Sequence, residues 1–381
     1  MILIYCSNIT NRIRYVFNLI LKDIIGIENI EFTTNEQYFC NYTGPKISYH
    51  SIPLCDELFF LAKPLLFEKD IRDYSISVTE WEGHKIFFPT NKISALPFDP
   101  FSAAFFLLTR YEEYLPHIKD QFQRFPAEES LAFQNGFLEK PVINHWAEKV
   151  KCLIRAKYPE LKFLQREFKF ISTIDIDNAF AFKEKGFVRT AGAITRAAFN
   201  LRMEKLYQII QVLLGNEPDP FDTYEYQLFI QKKYKLSVIY FILLADYGVN
   251  DKNIPVQSRK FQALIKSMAD YAEVGIHPGF NSNKSDKKLR IEHNRLQVIL
   301  KREVTKSRQH FLKLVMPETY RNLINLDITD DYTMGFSSRI GFRAGTCSSF
   351  NFYDLDLDIE TKLKIHPFSI MDASLKYNMQ I

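Results

Sequence analysis

Two rhythms of apolar residues divide the chain. Over residues 1–165 short apolar runs and helical stripes are mixed. Residues 2–5 form an uninterrupted apolar run, the pattern of a short buried strand. Behind Asn11, a candidate cap, Ile13, Val16, Leu19 and Ile20 recur at helical spacing. Residues 30–95 alternate short β-type runs, at 47–52 and 85–88, with polar turns. The clearest helix lies between Pro97 and Pro116. Asp99 can cap it, Pro100 suits its first turn and Pro116 marks its end. It is apolar nearly all round, which predicts a buried helix. Arg110, Glu112 and Glu113 near its end read first as structural ion pairs rather than as chemistry.

From about residue 168 the rhythm changes to apolar β-type runs alternating with helical stripes, as parallel βα architecture requires. Strands are predicted at 168–174, 237–244, 273–276, 307–312, 325–328, 341–343 and 364–370. Helical segments lie around 190–214, 256–271, 285–304 and 317–324. The pattern predicts an α/β chain of two domains. Residues 1–165 form a mixed α/β domain, and the seven strands with alternating helices of residues 166–381 fit a (β/α) barrel.

Composition sharpens this only in part. The 34 Phe and 20 Tyr point to an aromatic-rich core, and 46% hydrophobic with 25% charged residues excludes a disordered or collagen-like chain. A net charge of +4 gives no reason to expect nucleic-acid binding. The basic stretch 284–308 carries the apolar stripe Leu289, Leu296, Ile299, Leu300 and Val304, which suits a solvated outer helix. The five cysteines form no C-x-x-C pair and read as reduced thiols. The opening MILIYCSN is too short for a signal sequence, and no window predicts a transmembrane helix, so the expected location is the cytoplasm.

Chemistry concentrates at the predicted strand ends. Asp175 and Asp177 are two apart, so an extended chain puts both carboxylates on one face, about 6–7 Å apart. Leaving them unpaired there is costly; a metal ion, a substrate or an arginine would compensate them. His277 follows the 273–276 strand in a position suited to a metal ligand, with Asn281 four residues on. Arg308 and His310 belong to the next strand end. Arg343 lies between glycines, where it could orient Asp175, and Asp330, Asp331 and Tyr332 precede a turn that could line the pocket. The other histidines read as structural or surface residues.

The strand end Thr173-Ile-Asp-Ile-Asp177, the strand end Gly275-Ile-His-Pro278 and the turn Gly341-Phe-Arg-Ala-Gly345 together resemble the polysaccharide deacetylases, carbohydrate esterase family 4. The stretches 107–115, 307–311 and 341–346 are similar to a bacterial branch in which an N-terminal domain of unknown function precedes the deacetylase barrel. The resemblance implies that residues 166–381 form a distorted (β/α)7-type barrel lacking its last strand, in a hydrolase that removes N-acetyl groups from a glycan or surface-polysaccharide precursor. It implies Asp175 as general base, Arg343 as the arginine orienting it, and Asp177 and His277 as ligands of a divalent metal, expected to be Zn2+. Two positions depart from the pattern. Asn281 stands where the family has a second metal histidine, and no histidine follows on a last barrel strand. His310 is the candidate for general acid, or for the missing ligand, and Arg308, Asp331 and Tyr332 are candidates for substrate contact. Two other functions compete: a catalytically impaired glycan-binding protein, and a glycosyltransferase whose Asp175-x-Asp177 holds a metal-bound nucleotide sugar. No serine-hydrolase elbow, P-loop or dinucleotide fingerprint is present.

Overall fold

The computed structural model describes residues 1–379. Its contacts divide the chain into two units. One comprises Met1–Glu167, Leu314–Ile324 and the chain from Thr329 onward; the other comprises Phe168–Lys313 and Asn325–Ile328. The sequence placed its single boundary at 165/166; the division instead falls at Glu167/Phe168 and returns most of the chain after Leu314 to the first unit.

The first unit opens with β1 (Ile2–Cys6), α1 (Asn11–Phe17), β2 (Ile30–Thr33), α2 (Glu36–Asn41), β3 (Lys46–His50) and β4 (Leu58–Leu61). The four strands are parallel, in the order β2-β1-β3-β4. β1 is buried at all five positions, as a parallel strand covered on both faces must be. The cap of α1 is Thr10, whose hydroxyl accepts the Ile13 amide at 3.1 Å, and not Asn11. A short antiparallel pair, β5 (Thr79–Trp81) and β6 (His84–Ile86), leads to α3 (Pro100–Leu108), α4 (Tyr111–Tyr114), α5 (Leu131–Gln134) and α6 (Val142–Lys157).

All nine residues of α3 are buried. The Asp99 carboxylate caps it, accepting the amides of Phe101 and Ser102 at 3.0 and 3.1 Å and the Tyr49 hydroxyl at 2.6 Å. Phe101 stacks on Phe17 with ring centroids 3.8 Å apart, within an aromatic-rich core.

The second unit contains β7 (Ile171–Ile176), α7 (Phe187–Phe199), α8 (Met203–Leu214), α9 (Tyr224–Tyr234), β8 (Ser237–Ile242), α10 (Arg259–Tyr271), β9 (Glu273–Ile276), α11 (Asp286–Leu300) and β10 (Lys306–Ser307). Its strands are parallel, in the order β7-β8-β9-β10. Gly275 is required in β9, because a Cβ there would lie 2.7 Å from both the Lys306 carbonyl and the Phe241 ring. The first unit is completed by α12 (Glu318–Ile324), β11 (Asp330–Asp331), β12 (Phe350–Asp354) and β13 (Ile359–Ile365); β11 is parallel and β12 antiparallel to β13.

The architecture is mixed α/β, and among the described residues no closed barrel is formed. The predicted strand 325–328 does not form, since Asp327 adopts a left-handed φ of 58°. The predicted strand 341–343 is a turn between Gly341 (φ 135°) and Gly345 (φ 68°). The predicted strand 307–312 ends at Ser307. Among the described residues, no helix is long and apolar enough to cross a membrane.

Candidate metal centre

In parallel sheets, ligands gather beyond the carboxyl ends of the strands. The second unit places its polar side chains there by extending the strand ladder past the strands themselves. The Leu243 amide donates to the Ile176 carbonyl, that of His277 to Ile242, that of Arg308 to Ile276, and that of His310 to Pro278, at 2.9–3.2 Å. Asp177, His277 and His310 thereby converge. Their nearest ligand atoms all lie within 4.8 Å of one another. Asp177 Oδ1 is 3.1 Å from His277 Nε2 and 3.6 Å from His310 Nε2.

The outer nitrogens fix both rings. His277 Nδ1 donates to the Arg308 carbonyl at 2.6 Å, and His310 Nδ1 donates to Asp251 Oδ1 at 2.8 Å. Both acceptors can only accept, so each Nδ1 carries a proton, and each Nε2 faces Asp177. This is the outer-shell arrangement that orients metal-ligating histidines. His277, His310 and Asp251 are buried, whereas the Asp177 side chain is half exposed. The cluster therefore has a solvent-facing side.

The electrostatics favour a cation. Burial raises the pKa of Asp177, but hydrogen bonds from His277 and His310 overcome it and hold the carboxyl far below its usual range. Burial alone would lower His310; Asp177 and Asp251 on either side carry it up to about 9. Asp251 is held below its ordinary value, since its bond to His310 outweighs burial. Two carboxylates thus stabilise a positive charge at this position, whether it is a proton or a metal ion. One carboxylate and two imidazole nitrogens, with one side open, suit zinc.

The loop after β9 is tightly built around this group. A Cβ on Gly279 would lie 2.5 Å from Ala245 Cβ and 3.2 Å from Asp251 Oδ2, so only glycine allows the loop to close on Asp251. The Gly279 amide donates to Glu292 at 2.9 Å, and the Phe280 amide donates to Asp251 at 2.9 Å. Past His310 the chain turns through two left-handed residues, Phe311 (φ 61°) and Leu312 (φ 51°), a costly backbone for non-glycine residues.

The remaining expected residues part company. Asp175 has its partner within its own unit. It accepts from Arg308 Nη1 at 3.4 Å, and the Arg308 guanidinium lies 5.3 Å from the centre of the Phe241 ring. Arg343 belongs to the first unit, where its Nε and Nη2 donate to the two Glu113 oxygens at 2.9 and 2.8 Å and its Nη1 to the Gly335 carbonyl at 3.1 Å. Its partner is a buried carboxylate on α4, which the glycines around it gave no means of identifying. Asn281 is exposed and opens the turn Ser282–Lys284, while His310 completes the triad. Asp330, Asp331 and Tyr332 also belong to the first unit. Asp331 accepts the amide and hydroxyl of Thr333, Tyr332 stacks on His366 at 4.4 Å, and Asp330 accepts from His366.

Asp251 was not foreseen. It lies in a polar loop with Asp246 and Lys252, and nothing in its spacing to His310 marks the pair. Replacing Asp251 with asparagine should weaken zinc binding roughly 10–100-fold, since the outer-shell acceptor that orients His310 is lost. Competition titration against a chelator measures this, and an unchanged affinity would remove Asp251 from the site.

Residues 2–159 match a family of unknown function, DUF7033. No curated protein matches the chain. Among solved structures, the chain is similar to a "putative polysaccharide deacetylase" from Mycobacterium smegmatis at 14% identity and a TM-score of 0.33, covering 54% of this chain and 61% of that one. It is also similar to IcaB from Ammonifex degensii at 10% identity and a TM-score of 0.29, covering 55% of this chain and 95% of that one. Values this low leave the functional reading to the geometry of the site itself.

Proposed function

We propose that the chain is a metal-dependent hydrolase that removes N-acetyl groups from a glycan or glycan precursor. The observation that carries the reading is the convergence of Asp177 with two histidines whose outer nitrogens are both pinned. Asp177, His277 and His310 would hold the ion. When bound, a divalent metal such as zinc supplies Lewis acidity toward an amide carbonyl. Asp175 is the candidate general base, positioned by the Arg308 guanidinium 3.4 Å from its Oδ1. His310 serves as a ligand in this reading and is not free to act as general acid. The second unit's parallel strands would form the core of a deacetylase-like barrel.

The acetamide substrate comes from the resemblance of the strand-end motifs to polysaccharide deacetylases. A nucleotide-sugar site would want both carboxylates on one metal, and here Asp175 goes to Arg308 while Asp177 goes to the histidines. The test pairs metal analysis of the purified chain with acetate release from N-acetylated oligosaccharides. One equivalent of metal and chelator-sensitive acetate release are expected. Asp175→Asn should cost roughly 10²–10⁴-fold in rate while leaving the metal bound. Stoichiometric metal without acetate release would overturn the hydrolase reading in favour of a glycan-binding protein.

A further inference from the structure

The hairpin of α7 and α8 leaves much of its apolar surface uncovered. On α8, Met203, Tyr207, Ile210 and Leu214 follow one another at helical spacing, and all four are exposed. At the tip, Phe199 and Leu201 are 91% and 82% exposed. Leu201 has a left-handed φ of 52°, at a turn position where glycine or asparagine would be the unstrained choice. Phe187 and Val188, at the start of α7, are likewise exposed.

The same hairpin surrounds a cavity of about 240 Å³ lined by Lys185, Arg189, Arg196, Arg202 and Lys205 over an apolar floor that includes Ile209. Residues 185–216 carry these five basic residues and one acidic residue, Glu204. Among the described residues, no carboxylate forms a salt bridge with these cations. Arg196, Arg202 and Lys205 form no ion pair among the described residues. Arg189 donates to the carbonyls of Asn253 and Lys252, at 2.8 and 3.1 Å, and lies over the Tyr247 ring at 4.2 Å. Asp219, the nearby carboxylate, is occupied by the amides of Ala181, Phe182 and Lys183. Burial and the charge of Arg189 lower the pKa of Lys185, against a smaller opposing pull from Asp219.

We infer that the α7–α8 hairpin docks this protein on an anionic lipid surface, with a lipid phosphate in the cationic cavity and the exposed apolar residues in the headgroup–acyl boundary. Cationic side chains interleaved with exposed Phe, Leu, Tyr and Met on a short amphipathic hairpin are the chemistry of an interfacial helix. Charge complementarity selects this occupant. A second copy of the chain would bring five uncompensated cations against five more, and a soluble phosphate would leave Phe199 and Leu201 in water.

The test uses the full chain in sedimentation with vesicles of phosphatidylcholine alone or doped with phosphatidylglycerol. Binding to the doped vesicles only is expected, weakening at high salt. Arg196→Ala with Arg202→Ala should reduce the partition coefficient roughly 30-fold, and Phe199→Ser with Leu201→Ser by about tenfold or more. Arg196→Lys with Arg202→Lys should restore most of the binding, because charge near the surface is what counts. All substituted positions are exposed, and an unchanged unfolding midpoint shows that each variant folds. No preference for the doped vesicles would overturn the proposal. So would binding indifferent to both variant pairs, saturation by inorganic phosphate without vesicle binding, or a concentration-dependent dimer that the Phe199/Leu201 variant dissolves. None of these outcomes bears on the metal site, so its reading stands or falls separately.

Discussion

Glu113→Ala should lower the unfolding free energy by about 3–5 kcal/mol, the cost of stranding buried charge. Glu113 sits between two guanidinium groups that are themselves almost fully buried. Arg110 Nε donates to its Oε1 at 2.7 Å, and Arg343 holds both of its oxygens. Arg110 also reaches Glu112 at 2.7 Å and the Arg343 carbonyl. Removing the Glu113 side chain leaves two cations facing each other with one carboxylate, Glu112, at the edge. Both tryptophans, Trp81 and Trp146, belong to the first unit, so denaturant unfolding followed by tryptophan fluorescence reports on the unit that holds this network. A loss below about 1 kcal/mol would mean that the arginines find other partners, in the range of an exposed pair.

The same carboxylate makes a signed pH prediction. Burial opposes its ionisation, but Arg343 and Arg110 outweigh burial and lower its pKa from 4.5 to about 2. Its contribution is therefore complete above its unfolded pKa and is lost as pH falls from about 4.5 towards 2. That difference corresponds to roughly 3 kcal/mol. Glu113→Gln should be less stable at neutral pH and should lack this acid-induced loss.

Asp177→Asn should abolish stoichiometric zinc binding at micromolar protein. Structural zinc sites bind with about 10–16 kcal/mol over four ligands, so one ligand is worth about 3 kcal/mol, roughly a hundredfold or more in affinity. The loss should exceed that, because the same oxygen faces both Nε2 atoms. Asp175→Asn is the matched control: its side chain faces Arg308, and the affinity should change only a few-fold. Equal affinity in the two variants would remove Asp177 as a ligand.

The sequence made visible what is local. An apolar run followed by a polar residue marked Asp177 and His277, because a strand and its end are contiguous. β8, six residues and five of them buried, was legible for the same reason. β10 and β11, at two residues each, are too short for any periodicity to register. α9 buries only Tyr224, so it had no apolar stripe to read. Partnerships across long separations were illegible. His310 finds Asp251 59 residues away, and Arg343 finds Glu113 230 residues away. Arg343 was therefore assigned to the wrong carboxylate, while the reading of Arg110 and Glu113 as structural ion pairs agrees with the geometry.

That separation of 230 residues between Glu113 and Arg343 also sets a clock. At roughly 5–20 residues per second, the ribosome adds Arg343 about 10–50 s after Glu113. For that interval, while all of the second unit's first stretch, Phe168–Lys313, is being made, Arg110 and Glu113 have only each other and Glu112. The first unit is thus begun early and sealed late, because the second cation on Glu113 arrives only with the returning segment.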